Sequence, residues 1–348
     1  MGVIRLYLAL VVIIYHARAG GAYFDGVYAV MLFFVISGFC MALVLNRKYT
    51  EANPSRFYVA RFLRLWPTYA IVFAVILSIS PLPSVPSLGG IFANAYYWFT
   101  ATTLLGHETL WWFTPVSGDL DLIYVLNGSA GTLSAYTHMQ QMWSVGIEIC
   151  FYLVSPLIAR RPKLIAGLLV AGYVVHLVMS AYLPKDNPFL VRSALPYLWI
   201  FLLGMIGYHA AQYIAVKPET MSKFALPLIA VTLAVAVLAM PYRRTAADTG
   251  IILFAVALVP LFAATKDLKW DRLIGELSYP MYVIHWPLVP FYFKYMDRSP
   301  LSVAGYLALT IVLAAAIHIL VERPIDRIRQ APMFGSRKRR PTEISALT

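Results

Sequence analysis

The amino-acid sequence predicts an all-α polytopic integral membrane protein, and three observations carry that expectation. Of 348 residues, 60% are hydrophobic and only 13% charged, with a mean hydropathy of +0.71. Water-soluble domains run nearer half apolar and a quarter charged. The apolar residues fall in runs of roughly 15–22 separated by short polar loops, as membrane-spanning helices require. No stretch shows the alternation and long polar loops of a transmembrane barrel. Disordered and collagen-like chains are excluded by the same composition. Cys40 and Cys150 both sit inside apolar runs, so no disulfide framework is implied.

Ten segments are expected to cross the bilayer, several short enough to need tilt or local thinning. The first, 3–19, is apolar around Arg5 and His16. Ala17–Arg18–Ala19 has the spacing of a signal-peptide cleavage site, but Tyr7, Tyr15 and His16 are odd in a discarded segment, so a retained span is expected. Segment 26–45 carries no charge, and 67–80 follows an arginine-rich stretch. Segment 142–158 opens beside Trp143, which marks an interface. Segments 164–183, 194–214, 224–241 and 250–264 follow, and 279–296 and 301–321 complete the set with His285 and His318 inside them. An eleventh run, 89–105, is aromatic and apolar but carries Asn94, Thr100, Thr102 and Thr103.

Charge sets the direction. The stretch 46–66 holds Arg47, Lys48, Arg56, Arg61 and Arg64 against one acid, which places it on the cytoplasmic side. Threading the chain from there, with 89–105 not crossing, puts both termini inside, with 21 lysines and arginines inside and 7 outside. Were 89–105 to cross, Arg160, Arg161, Lys163 and everything after them would change sides. That run is therefore read as interfacial or re-entrant. The stretch 106–141 becomes an outer loop with Glu108, Asp119 and Asp121 and no lysine or arginine. The net charge of +12 then reports orientation rather than a nucleic-acid partner. A membrane domain over 1–330 and a disordered, basic cytoplasmic tail over 331–348 are expected, with Arg337–Arg340 anchoring on anionic lipid.

Ionisable side chains inside spans are expensive and point to function. His16, Glu148, His285 and His318 stand out, and Arg5 joins them by geometry. Eleven helical steps of about 100° bring Arg5 and His16 onto one face, with a rise of about 16 Å between them. A snorkelling arginine and a histidine bonded to a neighbouring helix fit the same spacing. Glu148 lies about 7–8 Å below Trp143, at a depth close to that of His16. A histidine partner would offset its burial and fix one imidazole tautomer, leaving the other nitrogen as a base. A structural Glu–His or Glu–Ser bond without chemistry also satisfies it. His318, among Ala, Ile and Leu, reads as a packing or interhelical contact. His107 and His138 are loop residues without metal-ligand spacing, so no metal site is expected. The sequence has no GxxxxGK[ST], GxGxxG or GxSxG, which leaves nucleotide hydrolysis, dinucleotide binding and an α/β-hydrolase unsupported.

The constellation resembles a known family. Its parts are Arg5-x10-His16, then Phe33–Phe34–Val35–Ile36–Ser37–Gly38–Phe39, then Arg61-Phe-Leu-Arg64-Leu-Trp-Pro67-Thr-Tyr69. Trp143–Ser144 with Glu148, Phe151 and Tyr152 follows, then Gly275 through Ser278–Tyr279 and Tyr282 to His285 and Pro287, and finally Glu322–Arg323–Pro324. In this order over residues 1–330 they resemble acyltransferase family 3 of membrane O-acyltransferases. Two departures are visible. The family's usual WSLSVE reads WSVGIE, and the stretch before Arg5 is short.

The resemblance implies a bacterial inner-membrane enzyme that carries an acyl group, commonly acetyl, from cytoplasmic acyl-CoA (acetyl-CoA) to a hydroxyl of a carbohydrate or glycolipid. The residues suit that chemistry. Arg5, Arg61 and Arg64 gather where CoA phosphates would arrive. His16 held by Glu148 would take the hydroxyl proton during attack on the thioester. His285 would support the thioester end or bond a neighbouring helix, with Ser144 and Tyr279 as further supporting residues. Ser37–Gly38 is expected to let two helices approach closely. Tyr96–Tyr97–Trp98 and Trp111–Trp112 would stack on sugar faces or form an interfacial belt. The competing expectation is a lipid-linked glycan transporter or flippase, which also needs buried polar groups. No internal repeat of the kind such transporters show is found.

Overall fold

The computed structural model describes residues 1–18, 25–50, 53–80, 90–116, 119–213, 223–238 and 244–330. The basic tail 331–348, Lys217 and the residue after Arg18 at the cleavage-like site lie outside the described residues. The helices are α1 (Gly2–Ala17), α2 (Gly26–Arg47), α3 (Ser55–Ile79), α4 (Ile91–Thr103), α5 (Trp143–Ile158), α6 (Pro162–Tyr182) and the single turn α7 (Pro188–Val191). They continue as α8 (Leu198–Tyr213), α9 (Ala225–Leu238), α10 (Arg244–Thr265), α11 (Lys269–Glu276), α12 (Ser278–Tyr292), α13 (Pro300–Ile317) and α14 (Arg323–Gln330). Between α4 and α5 an antiparallel hairpin pairs β1 (Phe113–Val116) with β2 (Asp119–Leu122), with Phe113 opposite Leu122.

Seven helical stretches among the described residues are long and apolar enough to cross a membrane: Gly26–Arg47, Ser55–Ile79, Gln140–Ile158, Pro162–Tyr182, Pro188–Gln212, Ala247–Thr265 and Pro300–Arg329. Gly2–Ala17 and Ala225–Val235 are shorter apolar helices. The chain is therefore an all-α, multi-pass membrane protein. Its outer helices expose apolar side chains, as lipid-facing surfaces do. On α6, Leu164, Val170, Val174, Leu177 and Val178 are exposed, as are Leu301, Val312 and Leu320 along α13 and its continuation. The last rod is continuous because a π-turn, His318–Glu322, joins α13 to α14. Segment 89–105 holds only the 13-residue α4, ended by Leu104 in the left-handed conformation at φ 65°. At 1.5 Å per residue it reaches about 20 Å, short of the hydrocarbon thickness of about 30 Å.

Several boundaries differ from expectation, the third span's most of all. The third span does not start at Pro67; α3 begins at Ser55 and runs through that proline. Proline removes one N–H, which membrane helices tolerate when neighbours re-satisfy the freed groups. Arg56, Arg61 and Arg64 therefore sit on the helix rather than in a loop, and Arg61 and Arg64, three apart, share a face.

Two packing features fix the middle of the bundle. Helix α1 is apolar apart from Arg5 and His16, and none of its residues is exposed. Ile4, Leu8, Val11 and Val12 enter the main core, while Ile13 and Ala17 join a second cluster with Met281, Val303 and Tyr306. Helices α2 and α8 touch backbone to backbone. A Cβ on Gly38 would lie 1.9 Å from the Phe201 carbonyl oxygen, and one on Gly204 would lie 2.0 Å from that of Val35. The close approach expected at Ser37–Gly38 is met here, against α8. At the other end of α1, Asp271 accepts hydrogen bonds from the amides of Gly2 (2.7 Å) and Val3 (2.9 Å), satisfying donors that a helix start leaves free.

Candidate active site

A cavity of about 750 Å³ opens among α1, α2, α3, α5 and α12. Arg5, Arg61, Arg64, Ser144, Glu148 and Tyr279 all line it, so six of the eight expected site residues share one space. Eight lysine and arginine side chains line it against five carboxylates. None of Arg5, Arg61 and Arg64 forms an ion pair among the described residues. Arg61 instead lies 5.6 Å from the Phe57 ring centroid and 5.8 Å from that of Tyr152, and its Nε is buried without a partner. Guanidinium groups fixed in this way are available to an anionic ligand.

His16 and His285 are placed elsewhere. His16 lines a second, smaller pocket of about 110 Å³, with Trp111, Gln141, Trp143, Arg192 and Trp286. Tyr282 and Val30 line both spaces and so form the partition between them. Because α1 carries Arg5 into the first space and His16 into the second, one helix connects the two.

The expected pairing of His16 with Glu148 is not formed. Glu148 Oε1 accepts from the hydroxyls of Ser37 on α2 and Tyr152, one turn along α5 at 2.5 Å. His16 Nδ1 lies 3.0 Å from Nε2 of His285, with the rings stacked 5.2 Å apart at 17°. Equal depth along two helices says nothing about which way each side chain points. Here α1 packs on α2, α11, α12 and α13, and α5 packs on α2.

The histidine pair has a readable proton order. His285 Nδ1 is 2.7 Å from the Tyr282 carbonyl oxygen, which can only accept, so that nitrogen carries the proton. His285 Nε2 is then the acceptor, and His16 Nδ1–H donates to it. The free lone pair remains on His16 Nε2. Trp286 holds the His16 ring edge-on at 4.7 Å, and the Tyr306 hydroxyl donates to the His285 carbonyl at 2.6 Å. Arg298 Nη1 donates to the carbonyls of His16 (3.3 Å) and Ala17, satisfying the end of α1.

The remaining expected residues have structural partners. Tyr279 donates to the Leu65 carbonyl at 2.7 Å, tying α12 to the turn of α3 that carries Arg64. Tyr282 donates to the Gln141 carbonyl at 2.7 Å and so accepts from Ser144, whose Oγ is 2.7 Å away. Ser144 thus makes no bond to a base. His318 pairs with Glu322 at 2.9 Å on its own rod and lies 3.4 Å from Glu276 of α11, an interhelical contact. His138 bonds the Ser80 carbonyl at 2.9 Å, and His107 is buried without a hydrogen-bond partner. Among the described residues no group of three or more His, Cys, Asp or Glu is arranged to hold a metal ion.

Three contributors have roles that a reading of the sequence does not assign. Arg192 counts there only as an outer cation, although a lone charge heading an apolar span among aromatic residues is a usable signal. Tyr282 is buried as the partition. Glu108, read as a loop acid, is 4% exposed and packs on α5, where its Oε1 lies 3.4 Å from Cys150 Sγ. Burial raises its carboxyl above the usual range. A Cβ on Gly146 would lie 2.2 Å from Glu108 Oε2, so the glycine in WSVGIE makes room for that carboxylate.

No solved structure matches the chain. The O-acetyltransferase OatA of Staphylococcus aureus is 23% identical over 93% of this chain and 56% of its own length, so the chain spans little more than half of that relative. A putative membrane-bound transacylase, BcsY of Komagataeibacter xylinus, is 24% identical over 95% of this chain and 84% of its own length. Nodulation protein 10 of Rhizobium leguminosarum bv. viciae is 29% identical over 51% of this chain and 47% of its own length. A family model described as an acyltransferase domain matches residues 1–319, which contain every residue of both pockets but Asp326 and Arg329. The chain belongs to this acyltransferase family.

Proposed function

We propose that the protein transfers an acyl group, acetyl, from cytoplasmic acyl-CoA to a hydroxyl of a carbohydrate, in the bacterial inner membrane. The observation that carries this reading is the partition: three unpaired arginines lie on one side of Tyr282, and a tautomer-fixed histidine on the other. The larger space takes the CoA phosphates on Arg5, Arg61 and Arg64, which fit an anionic donor. The smaller pocket takes the acceptor, outside. Both termini lie in the cytoplasm, about ten spans cross the membrane, and α4 lies at the interface.

In the reaction, His16 Nε2 removes the proton from the acceptor hydroxyl as its oxygen attacks the thioester carbonyl. The tetrahedral intermediate collapses with cleavage of the C–S bond, and the CoA sulfur takes up a proton, completing the ester and free CoA. His285 and the Tyr282 carbonyl hold the His16 ring and stabilise its protonated form by hydrogen bonding. The acyl group must pass Tyr282 to reach His16, so that ring sets access between the two spaces. Glu148 acts on the donor side, ordering Ser37 and Tyr152 around the cavity. Its role differs from the expected one of orienting His16.

Purified protein in lipid nanodiscs, given labelled acetyl-CoA and a surface-glycan extract, is expected to release CoA and label the glycan. Movement of glycan across the membrane without thioester consumption would overturn the reading in favour of a transporter.

A further inference from the structure

The structure assigns a second anion site, in the His16 pocket, and from it we infer that the carbohydrate acceptor carries a carboxylate or phosphate that binds Arg192. The inference rests on the acyltransferase reading of that pocket. The Arg192 guanidinium is held between two indoles, 4.6 Å from the Trp111 ring centroid and 4.2 Å from that of Trp143. Its one hydrogen bond among the described residues runs from Nη1 to the adjacent Val191 carbonyl at 2.8 Å, and its Nε has none. No carboxylate lies within ion-pair distance among the described residues, and no Asp or Glu lines the pocket.

A cation removed from water without a counter-ion is costly, and a guanidinium is suited to carboxylate and phosphate oxygens because it offers parallel N–H donors. The same pocket wall holds two more buried polar atoms without partners, Trp111 Nε1–H and Gln141 Oε1. Together these supply donors for an anion and one acceptor for a sugar hydroxyl. A neutral sugar is a poorer fit, because Arg192 occupies a face of both Trp111 and Trp143 that would otherwise stack on its apolar side. The phosphates of the donor have their own three arginines across the partition. An anion on Arg192 would also orient the neighbouring hydroxyl toward His16 and offset the charge that His16 gains as it takes the proton.

Intrinsic tryptophan fluorescence reads this site, since Trp111 and Trp143 flank Arg192. The full chain in nanodiscs is titrated with methyl glucuronoside, methyl glucoside, glucose 6-phosphate and inorganic phosphate. Saturable changes are expected for the glucuronoside and glucose 6-phosphate and none for the glucoside at the same concentrations. Arg192→Gln should weaken glucuronoside binding tenfold or more, and Arg192→Lys less. Equal responses to glucuronoside and glucoside overturn the proposal, as does Arg192→Gln binding like wild type. Inorganic phosphate binding as tightly as glucose 6-phosphate overturns the acceptor assignment. Should Arg192→Gln fail to fold, the wild-type contrast between glucuronoside and glucoside decides alone. Acetyl-CoA consumption, followed in parallel, separates the two readings. Glucuronoside binding without any thioester use sinks the acyltransferase reading and leaves the anion site standing. Equal transfer to acidic and neutral oligosaccharides sinks the anion site's role alone.

Discussion

His16 and His285 form a stacked, hydrogen-bonded pair in which one imidazole orients the other, 3.0 Å apart and anchored by the Tyr282 carbonyl. The pair replaces a carboxylate by a second neutral ring, which suits a site inside the bilayer where an anion would be costly. Two residues acting as one unit give non-additive losses. His16→Ala is expected to reduce acyl transfer by about 10²-fold or more. His285→Gln keeps an amide oxygen for His16 Nδ1–H and should lose less, and His285→Phe more. The His16→Ala/His285→Phe double variant should be hardly worse than His16→Ala. Turnover per folded molecule is the measurement, and wild-type turnover in folded His16→Ala would remove His16 from the chemistry.

Arg5, Arg61 and Arg64 lead to a salt-dependence prediction. Each alanine variant should bind acyl-CoA more weakly than wild type, with a shallower loss as ionic strength rises, because screening acts on the charges that remain. Isothermal titration at three salt concentrations checks this. Unchanged affinity in Arg61→Ala would end its assignment.

Gly146 predicts an epistatic pair. Gly146→Ser, which restores the serine of the family pattern, pushes its side chain into Glu108 and should cost about 1–3 kcal/mol as an overpacking defect. Glu108→Ala should recover part of that loss and not all, because the Glu108 backbone nitrogen is also only 3.0 Å from the added Cβ. Melting temperatures of the four proteins test it.

The buried outer loop predicts opposite slopes of stability with pH. Glu108 has its carboxyl raised by burial, so the folded state holds the proton more tightly than the unfolded chain. Its contribution is largest at low pH and is lost as pH rises above the usual carboxylate range. His107 is pushed down from 6.5 to about 4 by burial, so its penalty appears as pH falls below about 6.5. Glu108→Gln should therefore raise the melting temperature most on the alkaline side, and His107→Phe on the acid side. Parallel curves for wild type and both variants would contradict this.

Orientation is open to cysteine labelling in intact cells. A thiol placed at Asp119, exposed in the hairpin, should react with an impermeant reagent, and one at Asn53 should not. The reverse pattern would invert the assignment of donor and acceptor sides.

Much of the fold is legible in the sequence because hydropathy and length act locally. The uncharged run 26–45 is α2, and the aromatic run 89–105 holds the 13-residue α4. The start of α3 is not legible, since Pro67 looks like a boundary and is tolerated only through tertiary partners. The gathering of Arg5, Arg61 and Arg64 in one cavity is legible because the charge pattern puts all three toward the same side. The partner of His16 is not. Rotation about a helix axis is decided by packing between segments far apart in the chain, and depth alone could not choose between Glu148 and His285. Arg192 and Glu108 escape for the same reason, since each is partnered by residues on other elements.

The glycine contact between α2 and α8 limits how the protein can move. With Gly38 against Phe201 and Gly204 against Val35, carbonyl oxygens occupy the space of missing side chains, and neither helix can slide or swivel without steric collision. Any conformational cycle must keep this pair as a strut. Tyr282, between the two spaces, is held instead by side-chain hydrogen bonds. Rotation of that ring would exchange its bonds to Ser144 and the Gln141 carbonyl and would leave the contact of α2 with α8 undisturbed.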